Sequence, residues 1–189
     1  MNGKVVDAFW SLRSNDQRSD EAMTVYFLTE LENSLAGRLY VKIGRSQSLK
    51  RRLSNMQTSN RRELALMGEI RTVSASEDSL IEQRLHVIFE QKMDRGEWFF
   101  LSIEDVISGL KLYSSRAFIA TAGDPFEIVS SDRDAIPEFA SPWMWGDVDS
   151  FEFCPSCGWA GGWTYSENHG GNVCLECGDS EHFYNAPEP

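Results

Sequence analysis

The 189-residue chain has no apolar run approaching the ~20 residues needed to cross a bilayer, which excludes a helical membrane span. Its first residues, MNGKVVDAFWSLRSNDQ, lack the continuous apolar stretch and small-residue cleavage site of a signal peptide, so no export is expected. Cysteine is missing from the first 153 residues; all four lie between Cys154 and Cys177. A secreted disulfide scaffold would spread them, so a reducing, cytoplasmic setting is expected. Basic residues are scarce at the far end. Residues 113–189 hold 2 Lys or Arg against 13 Asp or Glu, whereas 23–112 hold 13 against 12 and 1–22 hold 3 against 4. The net charge of −11 argues against a sequence-blind coat protein for DNA, which needs clustered cations. A small basic groove in the balanced middle is compatible with these numbers. Neither repeats nor low-complexity tracts occur. With 41% hydrophobic and 25% charged residues, full disorder is excluded.

What is present divides the chain into four parts: an N-terminal arm at 1–22, a domain at 23–115, an acidic connector at 116–150, and a small module at 151–189. The arm has one apolar patch, Val5, Val6, Phe9 and Trp10. In the domain, MTVYFLT and LYVKIG read as two strands joined through a polar turn at Gly37. Ser46 to Met56 reads as a helix with Leu49, Leu53 and Met56 on one side, and ELALMGEIRTV as a third strand. Ser74 and Glu77 form a capping-box pattern before a helix whose expected buried stripe is Leu80, Ile81, Leu85, Ile88 and Phe89. Gly96 ends it, EWFFL reads as a short strand with Trp98 and Phe99 as core residues, and Ser102 with Asp105 opens a last helix. The connector holds Pro125, Pro137 and Pro142, and its Pro142–Trp145 stretch is expected to dock on a domain or a partner.

The module carries Cys154-Pro155-Ser156-Cys157, then sixteen residues, then Cys174-Leu175-Glu176-Cys177. Two CxxC turns at this spacing are the pattern of a tetrahedral zinc site, with Gly158 and Gly178 supplying permissive backbone after each turn. Four thiolates leave no open coordination position, so the expected zinc is structural. Two disulfides or a redox pair are the competing readings, and His169 or His182 could replace one cysteine. Trp159, Trp163, Tyr165, Phe183 and Tyr184 could stack on bases. The many acids around them make protein contact, or a lid over the domain, an equal alternative.

The domain's informative residues are Tyr26 on the first strand, Lys42-Ile43-Gly44-Arg45-Ser46 ending the second, and Arg52 on the first helix. Glu82 and His86 follow, one turn apart on the second helix, and Gly96-Glu97-Trp98-Phe99 comes last. Phosphodiester hydrolysis needs an activated water, charge stabilisation and a cation on the phosphate. Glu82 offers a hard oxygen ligand for Mg²⁺ or Mn²⁺, and Arg52 can grip a phosphate bidentately. Each residue also has an ordinary reading: Tyr26 as strand packing, Arg52 as part of a solvated basic run, Glu82 as a surface pair with Arg62 or Arg84, His86 as a satisfied core histidine.

In this order the motifs resemble the GIY-YIG nuclease superfamily, in its phage-type branch with a KIG second motif, an E…LH…F helix and a GEWF end, over about residues 23–112. The resemblance implies an α+β fold, a central three-stranded antiparallel sheet flanked by helices, followed by the zinc ribbon. It implies a metal-dependent DNA endonuclease in which Tyr26 is the proton-transfer group, with Lys42, Arg52, His86 and Glu82 completing the catalytic set. A free tyrosine ionises near ~10, so such a base needs a cationic neighbour, for which Lys42 is placed. Lys42 stands where the superfamily has a second tyrosine, with Tyr40 two residues earlier on the same strand face, and the superfamily's late Asn has no counterpart. Tyr40, Gly44, Arg45, Lys50, Arg51, Arg61 and Arg62 are the expected substrate contacts. Nucleic acid, most simply DNA, is the expected partner. The alternatives are a catalytically weak nucleic-acid-binding or regulatory module, and an interaction protein whose acidic half takes a basic partner.

Overall fold

The computed structural model describes residues 23–35, 38–120 and 153–180, with the strands at 128–131 and 137–139. The N-terminal arm, the Gly37 turn, the Pro142–Trp145 stretch, and His182, Phe183 and Tyr184 lie outside the described residues.

The two β-rich runs that open the domain form strands β1 (Thr24–Leu35) and β2 (Arg38–Ser46), antiparallel, with Tyr26 opposite Gly44 and Leu28 opposite Lys42. On the other edge of β1 lies β3 (Leu64–Arg71). The EWFFL segment supplies β5 (Trp98–Ser102), which pairs with β2 so that Lys42 faces Trp98. Two three-residue strands close the edges, β4 (Met93–Arg95) beside β5 and β6 (Ala117–Ile119) beside β3. The sheet therefore has six antiparallel strands in the order β4-β5-β2-β1-β3-β6, not the expected three. The expected strands are its centre. The additions come from a strand of WFFLS that finds the free edge of β2, and from Ala117–Ile119, which the sequence reading assigns to the connector.

Alternation along the strands sorts the two faces. Val25, Phe27, Val41, Ile43, Ile70, Phe99 and Leu101 point one way, onto helices α2 (Ala75–Ile88) and α3 (Ile103–Lys111) through Ile81, Leu85, Val106 and Leu110. Serines cap both helices. Ser74 accepts from the Glu77 N–H, and Ser102 with Asp105 makes a full capping box. The opposite face carries Tyr26, Lys42 and Gly44, with helix α1 (Leu49–Ser59) against it. The stripe of α2 is narrower than its sequence suggests. Ile81, Leu85 and Phe89 are buried, but Leu80 and Ile88 are exposed: Leu80 stands about 100° round the helix from Ile81, turned away from the sheet, and Ile88 is the last residue of the helix. Among the described residues no helix is long and apolar enough to cross a membrane.

The cysteine module, with the hairpin β9 (Trp163–Ser166) and β10 (Gly171–Cys174), sits against β6. Ile119 N–H donates to Gly158 O at 2.8 Å and Ala160 N–H to Ala117 O at 3.0 Å, so the residues after the first CxxC extend the sheet. Phe153 is buried in the main core, and Trp159 is buried with its indole N–H donating to Ser115 O at 3.2 Å. Trp159 is thus unavailable to stack on bases, a correction to the sequence reading; Tyr165 is exposed and Trp163 half-buried. A remaining hairpin, β7 (Ile128–Ser131) with β8 (Pro137–Phe139), lies between the two parts in sequence.

Candidate functional site

The site assembles where β2 ends. Gly44 faces Tyr26 across the β1–β2 pair, and a methyl group on Gly44 would stand 2.7 Å from the Tyr26 hydroxyl oxygen. Glycine is what allows the tyrosine ring to lie flat across the neighbouring strand. The ring is fully buried, and its hydroxyl reaches α1, where Arg52 Nε donates to it at 3.4 Å and Met56 Sδ lies 3.9 Å away. Hydrogen bonding and charge at Tyr26 hold the Arg52 guanidinium above its ordinary value, against the effect of burial, so it is a permanent cation.

Lys42 lies on the same face, diagonal to Tyr26. Its side chain is only 11% exposed, its ammonium pairs with the Glu97 carboxylate, and it sits 5.8 Å from the centre of the Trp98 ring. Trp98 is half-buried rather than core, while Phe99 is core as expected. Glu97 is also fixed by its backbone, since its carbonyl accepts from Ile43 N–H at 3.1 Å. Burial would push the Glu97 carboxyl up, but the hydrogen bond and charge of Lys42, assisted by His86 and Arg52, hold it below the ordinary carboxylate value. Glu97 is the member of this cluster that sequence reasoning missed. It was visible only as a letter in GEWF, and the β2–β5 register is what brings it to Lys42.

From α2 come Glu82 and His86. His86 Nε2 lies 3.1 Å from Ile43 O, and its ring lies tilted against Phe99 with centres 5.0 Å apart. Glu82 pairs with Arg45 Nε at 3.0 Å, rather than with Arg62 or Arg84. Burial raises its carboxyl pKa, Arg45 and His86 oppose this, and the nearby Glu97 charge reinforces it. One turn earlier Asp78 is wholly buried, and its Oδ2 has no partner among the described residues. Thr72 Oγ1 bonds to both Met23 O, at 2.8 Å, and Asp78 Oδ1. A hydroxyl has one proton to give. If it goes to the Met23 carbonyl, the Asp78 carboxyl must be the donor in the second bond. That agrees with a pKa raised by burial, against the opposing Thr72 bond and Arg45 charge.

The basic residues divide. Arg52 lies in the first turn of α1, with the exposed Arg51 and Lys50 beside it. Arg61 and Arg62 follow the far end of that helix, about 16 Å long, and Arg62 pairs with Glu30 at 3.2 Å. Neither is brought to Tyr26. Tyr40 packs on Phe100 with ring centres 5.1 Å apart, two residues up the strand from Lys42.

At the opposite edge of the sheet the four cysteine sulfurs lie within 4.8 Å of one another, with Cys154–Cys177 at 3.7 Å and Cys157–Cys174 at 3.8 Å. A tetrahedron of thiolates at ~2.3 Å from zinc has edges of about 3.8 Å. A disulfide would need ~2.05 Å. The set could therefore hold zinc, and the cysteines are free of disulfides. Hydrogen bonds from the Cys157 thiol and, against burial, from the Cys157 and Ser156 backbone N–H groups pull the Cys154 thiol down to about 5. The same hydrogen bond, with burial, pushes the Cys157 thiol up, and burial raises Cys177, so the sulfurs of the cluster are not equally ready to ionise. His169 bonds with Ser166 Oγ at 3.0 Å and is no part of the cluster. β3 alone separates β6 from Tyr26's strand β1, about 10 Å of sheet, and the module reaches β3 through Glu176, which pairs with Arg71 at 3.8 Å.

Residues 23–114, which span β1 to the end of α3, match the family model of the T5orf172 domain. That similarity suggests a nuclease-like or DNA-binding function. No curated protein and no solved structure matches the chain.

Proposed function

We propose that the chain is a metal-dependent endonuclease of GIY-YIG type acting on DNA, with its four cysteines holding a structural zinc. The observation that carries this reading is the meeting of Tyr26 and Arg52 over Gly44. The ring is buried, as packing alone would have it, but its hydroxyl is turned to a permanent cation, which suits proton transfer beside a phosphate. Arg52 would grip a non-bridging phosphate oxygen and stabilise charge there. Lys42, diagonal to the phenol on the same face and paired with Glu97, would be a second cation of the centre. His86, anchored on Ile43 O, is, like Arg52, an electrostatic neighbour of Glu97. Glu82 is the residue that would hold Mg²⁺ or Mn²⁺, and such an ion would add charge neutralisation at the phosphate. Arg51 and Lys50 would extend the phosphate track from Arg52.

A non-catalytic DNA-binding module is the second reading, and one observation favours it: Arg45 already occupies Glu82. Incubation of the full zinc-loaded chain with supercoiled plasmid, single-stranded DNA and RNA in Mg²⁺ or Mn²⁺ separates the two. Cleavage that disappears in EDTA, in Glu82→Gln and in Arg52→Ala is expected. Binding without cleavage of any substrate would replace the first reading by the second.

A further inference from the structure

We infer that Glu97 is a positioning residue of the proposed centre, acting through Lys42. The inference rests on the nuclease reading and adds to it a residue and its task. Glu97 is tied to β2 twice, at adjacent residues: its carbonyl holds the Ile43 N–H and its carboxylate holds the Lys42 ammonium. Lys42 is nearly closed to solvent, so its charge requires a partner. The Trp98 ring stands near the same ammonium at 5.8 Å. A four-carbon side chain with many rotamers is thereby held in one place, diagonal to Tyr26 across β1 and β2. Glu97 itself is about half open, with His86 and Arg52 as its further electrostatic neighbours. Its carboxylate therefore fixes the inner cation, Lys42, and leaves the outer one, Arg52, on the tyrosine hydroxyl. The GEWF segment, on this account, is the clamp that aims the lysine of KIG.

Glu97→Gln and Glu97→Asp in the full zinc-loaded chain test this by two independent readouts. The first is the rate at which an amine-acylating reagent modifies Lys42, followed by mass spectrometry. Loss of one charge-assisted hydrogen bond should raise that rate at least about tenfold in Glu97→Gln, with Glu97→Asp in between. The second is cleavage against binding. The expected kcat falls roughly 10–100-fold, the cost of a misplaced catalytic cation. The DNA Kd, measured in Ca²⁺, holds or tightens because a negative charge beside the phosphate track is gone. A general loss of structure would weaken both. Unchanged labelling of Lys42 overturns the clamp outright. Faster labelling with unchanged kcat overturns the positioning role and leaves a structural ion pair. If the unmodified chain cleaves nothing, the nuclease reading fails and takes the catalytic role of Glu97 with it, while the labelling still reports whether the clamp exists.

Discussion

Gly158 and Gly178 follow the two CxxC turns in equivalent positions, and they invite a paired substitution. Both have left-handed backbones, φ 78° and 76°, and both donate their N–H to the first cysteine of their turn, at 2.7 and 2.9 Å. Alanine at either costs about 1–2 kcal/mol for the left-handed conformation. Their surroundings differ. A methyl on Gly178 meets nothing within 4 Å, whereas one on Gly158 would stand 2.1 Å from Ile119 O. To reach ordinary contact at 3.4 Å the module must back away from β6 by about 1.3 Å. That breaks Ile119–Gly158 at 2.8 Å and Ala160–Ala117 at 3.0 Å, and strains Trp159–Ser115 at 3.2 Å. At about 1 kcal/mol for each bond, the excess is roughly 2–3 kcal/mol. For a chain of this size each kcal/mol moves Tm by about 2–4 °C. Gly158→Ala should therefore melt about 4–12 °C below Gly178→Ala at fixed free zinc, with zinc content equal in both. Hydrogen exchange should show the Ile119 and Ala160 amides losing protection only in Gly158→Ala. Equal melting temperatures and equal protection would refute the docking of the module on the sheet.

Gly44→Ala pushes the Tyr26 hydroxyl aside by about 0.7 Å, from 2.7 Å to ordinary contact. Displacements of this order cost up to ~100-fold in rate, so cleavage should fall at least tenfold while DNA binding in Ca²⁺ is retained. Asp78→Asn tests the buried carboxyl. A folded pKa above the unfolded one means that wild-type stability declines as pH rises from below the ordinary carboxylate value through the folded value, and is flat above it. Asn, which can donate to Thr72 Oγ1 without ionising, should remove that slope and match or exceed wild type at pH 7 in urea denaturation. Zinc should measure one per chain by elemental analysis. Cys177→Ser, or a strong chelator, should lower Tm and expose Trp159, seen as a red shift of its fluorescence, since metal binding in such knuckles carries roughly 10–16 kcal/mol of folding free energy.

How far the sequence could be read follows from where each feature's cause lies. Strand β3 was legible as a short apolar run, Leu64 to Met67 with Ile70, bounded by Arg61-Arg62-Glu63 and the Ser74 cap, although Ile70 is its one strong strand former. The starts of α2 and α3 were legible because a serine cap is a local device. β6 was not, since three residues after a helix carry no period; Ala117–Ile119 becomes a strand by lying between Gly68–Ile70 and residues 158–160. For the same reason, removing everything from residue 116 onward would take away a strand and Phe153, so it cannot serve as a test of the acidic half. Leu80 and Ile88 were misplaced because hydrophobicity alone does not say how wide a face the sheet can cover. Tyr26, Lys42, Arg52, Glu82 and His86 are candidates that an ordered set of motifs puts forward. Glu97 and Asp78 required register and burial, which only the folded chain supplies.

A sheet must end somewhere, and each of its two outer strands offers unsatisfied backbone groups to any passing strand. On the β4 side the solution is brevity and charge: three exposed residues, two of them Asp94 and Arg95. On the β6 side the three residues are all buried and apolar, and residues 158–160 are what stand between them and a neighbour. Those residues are held in shape by the cysteine cluster. Protection of that edge against strand addition is thus made conditional on four thiols. Oxidation at Cys154, or loss of any zinc the cluster holds, should open that edge to a second copy of the chain, seen as association.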